Sequence, residues 1–225
     1  MKHTLAFVLA MCLSFAVVSI GKPAYGYPIT DVDGNVYKTV KINGQVWMAR
    51  NLNVSHYRNG DPIRHAATPA EWADAARKKE GAWCYYRNRS GDGEVYGKLY
   101  NWYAVNDPRG LAPEGWRIPS DKDWEHLAGT FGGKLFAASS LKAASLWPLP
   151  CKPVAGRTGF CALPGGYRRS DGRFFYKGMN GLFWTSTVFV RGYAWFRNMS
   201  GRNSFLFRND TCMENGLSVR CVKES

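Results

Sequence analysis

Histidine is scarce in this 225-residue chain, four in all, and no His-Glu-x-x-His, Cys-x-x-Cys or Gly-x-Ser-x-Gly occurs. Those absences exclude the zincin helix, the dithiol redox or zinc knuckle, and the nucleophile elbow. Beyond residues 5–20 no apolar run reaches the roughly 20 residues that a membrane-spanning helix needs. No repeat, linker or low-complexity tract interrupts the rest, so residues 30–222 read as one domain. Acidic residues are few, 17 against 30 lysines and arginines, which leaves a formal charge of +13. A basic balance suits an anionic partner. Zinc-ligand spacing and the aromatic-basic signature of an RNA-binding sheet are both missing. No nucleic acid is therefore expected as partner, and the charge reads as a solvated basic surface. No cofactor and no metal site is expected either. The carboxylates are scattered, and the cluster of Asp121, Asp123 and Glu125 falls at a helix start, where orphan N–H groups stabilise negative charge.

What is present begins with a leader. Residues 1–26 read as a secretory signal, with Lys2 and His3 in a polar head, an apolar run at 5–20, and Ala24-Tyr25-Gly26 as the small-residue cleavage site. Tyr27 is the expected mature start, and the protein is expected at the cell surface, in the periplasm or secreted. Leu9-Ala10-Met11-Cys12 resembles a lipobox, but bulky Met11 adjoins the cysteine and the apolar run continues past it. Membrane association is expected only with lipidation there. Past the leader stand Cys84, Cys151, Cys161, Cys212 and Cys221, an odd number that leaves at least one thiol free or intermolecular. Cys151 with Cys161, then Cys212 with Cys221, are the candidate disulfides, other pairings staying open.

The turn dipeptides Asp33-Gly34 and Asn43-Gly44 frame strands at 36–42 and 45–49. Asp31-Val-Asp33-Gly34 opens like a calcium loop but lacks the later ligands and the closing Glu, so a turn is expected. Thr68-Pro69-Ala70-Glu71 is a capping box that predicts a helix ended by Gly81. Ser120 with Asp123 starts a second helix, whose Trp124, Leu127, Ala128 and Phe131 share one apolar face, with His126 beside it as a capping or surface residue. A short third helix is expected within 136–146. From Thr158 onward the texture is β, with strands expected at 182–188, 193–197, 204–208 and 218–223. Helices early and strands late give an α+β class, a single domain with two main helices, short antiparallel strands and long irregular loops.

Nine Trp, twelve Tyr and twelve Phe make the chain rich in residues that fill cores and line binding sites. In the last forty residues, apolar anchors alternate with polar, turn-rich stretches, the pattern of a rigid scaffold presenting adaptable loops. Tyr193, Arg197, Asn198, Arg202, Asn203, Arg208 and Asn209 are the candidate ligand contacts, because Tyr, Arg and Asn combine rigid area with adaptable hydrogen bonding. Trp184 and Trp195 read as core. Replacing Arg197 and Arg208 by Ala is expected to weaken binding without unfolding. The expected function is non-catalytic recognition of an extracellular glycan or protein ligand, with an enzyme or a structural subunit of a surface assembly as rivals.

Seven motifs in order carry a resemblance. They are Trp47-Met-Ala-Arg-Asn-Leu52, Trp83-Cys-Tyr-Tyr86, Gly97-Lys-Leu-Tyr-Asn-Trp-Tyr-Ala104, Gly115-Trp-Arg-Ile-Pro-Ser-Asp-Lys-Asp-Trp-Glu-His-Leu127, Gly159-Phe-Cys-Ala-Leu-Pro-Gly-Gly-Tyr-Arg168, Trp184-Thr-Ser-Thr187 and Ser218-Val-Arg-Cys221. Together they resemble the Fibrobacter succinogenes major paralogous domain. That resemblance implies an exported bacterial surface protein without an established reaction, on a C-type-lectin-like fold also used by formylglycine-generating enzymes. The copper-binding cysteine pair of those enzymes has no counterpart here. Ala112 stands where relatives often carry a Cys that would pair with the closing-strand Cys221. Arg208-Asn209-Asp210 matches only the end of the Trp-Asn-Asp motif of calcium-dependent lectins. The family is also similar to targets of diversity-generating retroelements. That likeness would make 188–191, 198–204 and 208–215 exposed variable positions over a scaffold of Phe183, Trp184, Ala194, Trp195 and Val219; ordinary loop drift among paralogues is the preferred reading.

Overall fold

The computed structural model describes residues 24–148 and 158–224. Residues 1–23, most of the expected signal segment, and Cys151 lie outside the described residues. The chain opens with β1 (Ala24–Thr30), β2 (Val36–Ile42) and β3 (Gln45–Met48). There follow β4 (Arg64–His65), α1 (Pro69–Lys78), β5 (Ala82–Cys84), α2 (Ser90–Tyr96), β6 (Leu99–Tyr100) and α3 (Trp102–Val105). Next come β7 (Trp116–Arg117), α4 (Asp121–Gly129) and α5 (Ala137–Leu141). The rest is β: β8 (Tyr167–Arg168), β9 (Phe174–Phe175), β10 (Asn180–Val190), β11 (Tyr193–Ser200), β12 (Leu206–Cys212) and β13 (Val222–Lys223). The class is α+β, built of small sheets in which antiparallel pairing dominates.

Local chemistry explains the predicted elements. Asn43 (φ 43°) and Gly44 (φ 82°) both take left-handed backbone, as a two-residue hairpin turn between twisted strands demands. The Asp31 carboxylate accepts from the backbone N–H of Asp33 and Asn35 and, at 2.6 Å, from the Tyr37 hydroxyl, so it knots the preceding turn. Thr68 and Glu71 form the expected capping box on α1; Ser120 and Asp123 form the one on α4. Helix α1 stops earlier than Gly81 because Lys79 itself takes the left-handed cap (φ 53°). His126 lies with Nε2 3.0 Å from the Asn43 carbonyl and thereby fastens α4 to the hairpin turn.

The first sheet has the order β1-β2-β3-β13-β7, and a separate sheet has the order β10-β11-β12. Between them lies an aromatic core: Trp47, Trp124, Phe160 and Phe183 are all fully buried, with neighbouring ring centroids 5.1 to 5.7 Å apart. Each such pair contributes about 1 kcal/mol beyond its buried area. Arg220 is also fully buried, on the Phe160 ring, and donates to the carbonyls of Met48 and Phe160 and to the Asn51 side chain. Its guanidinium therefore stitches the closing strand to the first motif of the chain.

Several expectations are corrected. The strand expected at 204–208 runs to Cys212, because its register with β11 continues to Tyr193↔Cys212. That expected at 218–223 is regular only at Val222–Lys223. The Cys212–Cys221 disulfide does not form: Cys212 ends the outer strand of the second sheet, whereas Cys221 is fully buried in the main core. Cys84 and Cys161 are likewise free. Ala112 lies in the same core cluster as Cys221. No helix among the described residues is long and apolar enough to cross a membrane.

Candidate functional site

The second sheet positions the site. Along β11, alternate residues face opposite ways. Tyr193, Trp195, Arg197 and Met199 face one side, and Ala194, Phe196, Asn198 and Ser200 face the other.

The first side packs on α4. Arg197 is only 2% exposed, and its Nη2 donates to Asp121 at the backbone carbonyl (2.9 Å) and at Oδ1 (2.5 Å). Burial pushes the Arg197 pKa down, against the opposing pull of Asp121. Arg208 donates Nε to the other oxygen of the same carboxylate at 2.6 Å and lies 3.5 Å over the Trp195 ring. One buried carboxylate is thus held by two guanidinium groups. Arg197, assigned as a ligand contact, is buried and bound to the scaffold, whereas Arg208 is bound to the same carboxylate with its side chain still 42% exposed. Trp184 is core as expected, but Trp195 is half-buried, covered by Arg208 and Phe189.

The remaining candidates separate. Tyr193 is exposed and stands beside Val188, Phe189 and Val190 at the exposed tip of the β10–β11 hairpin. Arg202 is exposed in the turn to β12. Asn203 is spent on that turn, its side chain accepting from Phe205 N–H and its carbonyl from Lys142. Asn215, assigned to an exposed variable stretch, is buried and accepts from Ser170 N–H. Asn198 and Asn209 lie within β11 and β12, not in loops, and share the second side of the sheet, since Asn209 pairs opposite Phe196.

That second side borders a cleft of about 190 Å³. Its floor is Leu182, Phe196 and Leu217, its polar wall Asn180 and Asn198, and its outer wall Tyr167 and Tyr176 from the β8–β9 hairpin and the turn after it. Asn180 Nδ2 donates to Asn198 Oδ1 at 2.9 Å across the β10–β11 register. The pair, which lines the cleft, keeps three amide N–H donors and one unbonded amide carbonyl, and exchanging both amide orientations leaves the same set. The Tyr167 ring stacks on Phe175 at 5.7 Å and lies 6.0 Å from Tyr176. Partial burial raises the Tyr167 pKa, so the phenol is neutral at physiological pH. Tyr176 is 57% exposed and holds φ at 63°, a conformation costly for an aromatic residue. Hydrogen bonds from Met179 N–H and Asn180 N–H to the Tyr176 carbonyl hold it there. Gly166, at the root of the hairpin, has φ 66°, and a side chain there would meet the Phe175 carbonyl at 2.4 Å.

The sequence reading missed Tyr167, Tyr176 and Asn180. A signal existed: aromatic residues at 167 and 174–176 flank the Asp171-Gly172 turn, which is the pattern of a hairpin with one aromatic face.

A larger cleft of about 220 Å³ lies at Asp31, His56, Arg58 and Glu114. Three of its polar groups are committed internally: Asp31 to its turn, His56 to Asp33, and Arg58 to the carbonyls of Ala112 and Trp116. Among the described residues no group of three His, Cys, Asp or Glu side chains is arranged to hold a metal ion.

No curated protein and no solved structure matches the chain. The model of the Fibrobacter succinogenes major domain matches residues 40–223, which include all seven motifs and both sheets that frame the cleft. The chain belongs to the Fibrobacter succinogenes major domain family.

Proposed function

We propose that this protein is an exported, non-catalytic recognition module on a C-type-lectin-like fold, binding an extracellular glycan or protein ligand on the outward side of its C-terminal sheet. The observation that carries the reading is the cleft between that sheet and the β8–β9 hairpin, where exposed tyrosine faces a pair of open amide groups. Concave, largely apolar sites with a few convergent polar groups are what ligands occupy. On the side that faces α4, the ionisable groups Asp121, Arg197 and Arg208 are tied to one another. Recognition therefore belongs to the neutral side of the sheet, and the basic surface is secondary.

The test is a binding screen of the purified protein against polysaccharides, mucin and intact bacterial and host cells, run beside Tyr176→Ala/Asn198→Ala and Arg202→Ala. Saturable binding that the double variant loses and Arg202→Ala keeps is the expected result. Equal binding by all three would mean charge-driven adhesion and would overturn the reading, as would binding by none.

A further inference from the structure

Resting on that recognition reading, we infer that the cleft takes the ring of a neutral sugar. Its composition decides the ligand class. The chain carries a formal charge of +13, which by itself points to acidic glycans. The cleft has no lysine or arginine in its lining, and Asp210, which contributes to the lining, pairs opposite Trp195 and so carries its carboxylate on the other side of the sheet. An anionic saccharide would enter with no cation among the lining residues to meet it. A neutral sugar meets no such penalty, and its hydroxyl groups both donate and accept.

The walls match that chemistry. A pyranose has one face of C–H groups that packs on an aromatic ring and an edge of hydroxyls. Tyr176 and Tyr167 present ring surface on one side of the cleft. Across it, the Asn180–Asn198 pair keeps amide N–H donors and an unbonded amide carbonyl, the set that adjacent hydroxyls complete. Thr211 adds a hydroxyl that already accepts from Asn215 Nδ2 at 2.6 Å, which leaves its proton to donate. Tyr176 is held out at φ 63°, so the ring stands exposed although a relaxed backbone would be less costly. Local strain retained at an exposed aromatic is the mark of a binding residue more than of a packing one.

The experiment is a glycan array carrying neutral and acidic saccharides, followed by calorimetry with the best ligand on the wild type, Tyr176→Ala and Asn198→Ala. Asn198→Ala leaves the Tyr176 turn intact and carries the test should Tyr176→Ala fold poorly. The expected result is binding of neutral saccharides, insensitive to added salt, with affinity falling about tenfold, about 1.4 kcal/mol, in each variant. Preference for acidic glycans, weakening with salt, would overturn the inference. Binding of a protein ligand that depends on Tyr176, with no glycan bound, would overturn it while leaving the recognition reading standing. Absence of any Tyr176-dependent binding would remove both.

Discussion

Arg197 reaches Asp121, 76 residues earlier in the chain, through a single nitrogen that bonds both the backbone carbonyl and the carboxylate at the start of α4. Arg208 takes the other carboxylate oxygen from the solvent side. The two arginines thus differ in kind, one a buried tie and the other an outer clasp.

Their substitutions should differ accordingly. Asp121→Asn leaves the buried Arg197 charge with only the exposed Glu125 carboxylate, 3.8 Å away, and is expected to cost about 3 kcal/mol. Arg208→Ala removes a half-exposed pair and a stacking contact and should cost about 1 kcal/mol. Urea unfolding of both variants checks the ranking. A cost for Asp121→Asn as small as that of Arg208→Ala would refute the buried-tie role.

Acid should loosen α4 through Asp123. Burial pushes its pKa up, but hydrogen bonds from Arg117 and Ser120 outweigh burial and hold it below the ordinary carboxylate value. A lowered folded value means the contribution is complete above the unfolded pKa of about 3.9 and is lost as pH falls below that through the folded value. Stability measured from pH 6 downward should therefore drop below about pH 4, and Asp123→Asn should flatten the drop while lowering stability at neutral pH.

The thiols should sort by depth. Cys84 and Cys221 are fully buried; burial pushes Cys84 up to about 11 and Cys221 higher still. Cys161 and Cys212 are half-buried. Iodoacetamide followed by peptide mass mapping should label Cys161 and Cys212 in the native protein and reach Cys84 and Cys221 only in denaturant. Early labelling of Cys221 would contradict its place in the core.

Tyr176 should show a trade between stability and binding. Glycine adopts φ 63° freely, so Tyr176→Gly relieves backbone strain while losing ring contacts with Tyr167 and Phe175. Thermal unfolding is expected to stay within about 1 kcal/mol of the parent while ligand affinity falls about tenfold. A large loss of stability would make Tyr176 a packing residue.

What the sequence disclosed was local. The caps at Thr68 and Ser120 and the Asn43-Gly44 turn each act within four residues, so each is written in consecutive letters. Helix α2, with two glycines and no capping box, left no such mark. Neither did the face that a strand residue takes. Arg197 and Asn198 are neighbours in one strand, yet one is locked to α4 and the other borders the cleft. Only the pairing of β11 with β10 and β12, and the arrival of α4 from far along the chain, separates them. The alternation of anchors and polar residues was real, but it recorded two faces of a sheet, not a scaffold and its loops.

Strand β13 sits between β3 and β7 in the first sheet, so residues 222 and 223 join two segments that the ribosome finished long before. The hairpin made first has no neighbour on its β3 side until then. Folding here is a clasp closed last: a nascent chain lacking those residues cannot join β3 to β7, and the sheet is complete only after nearly the whole domain has been made.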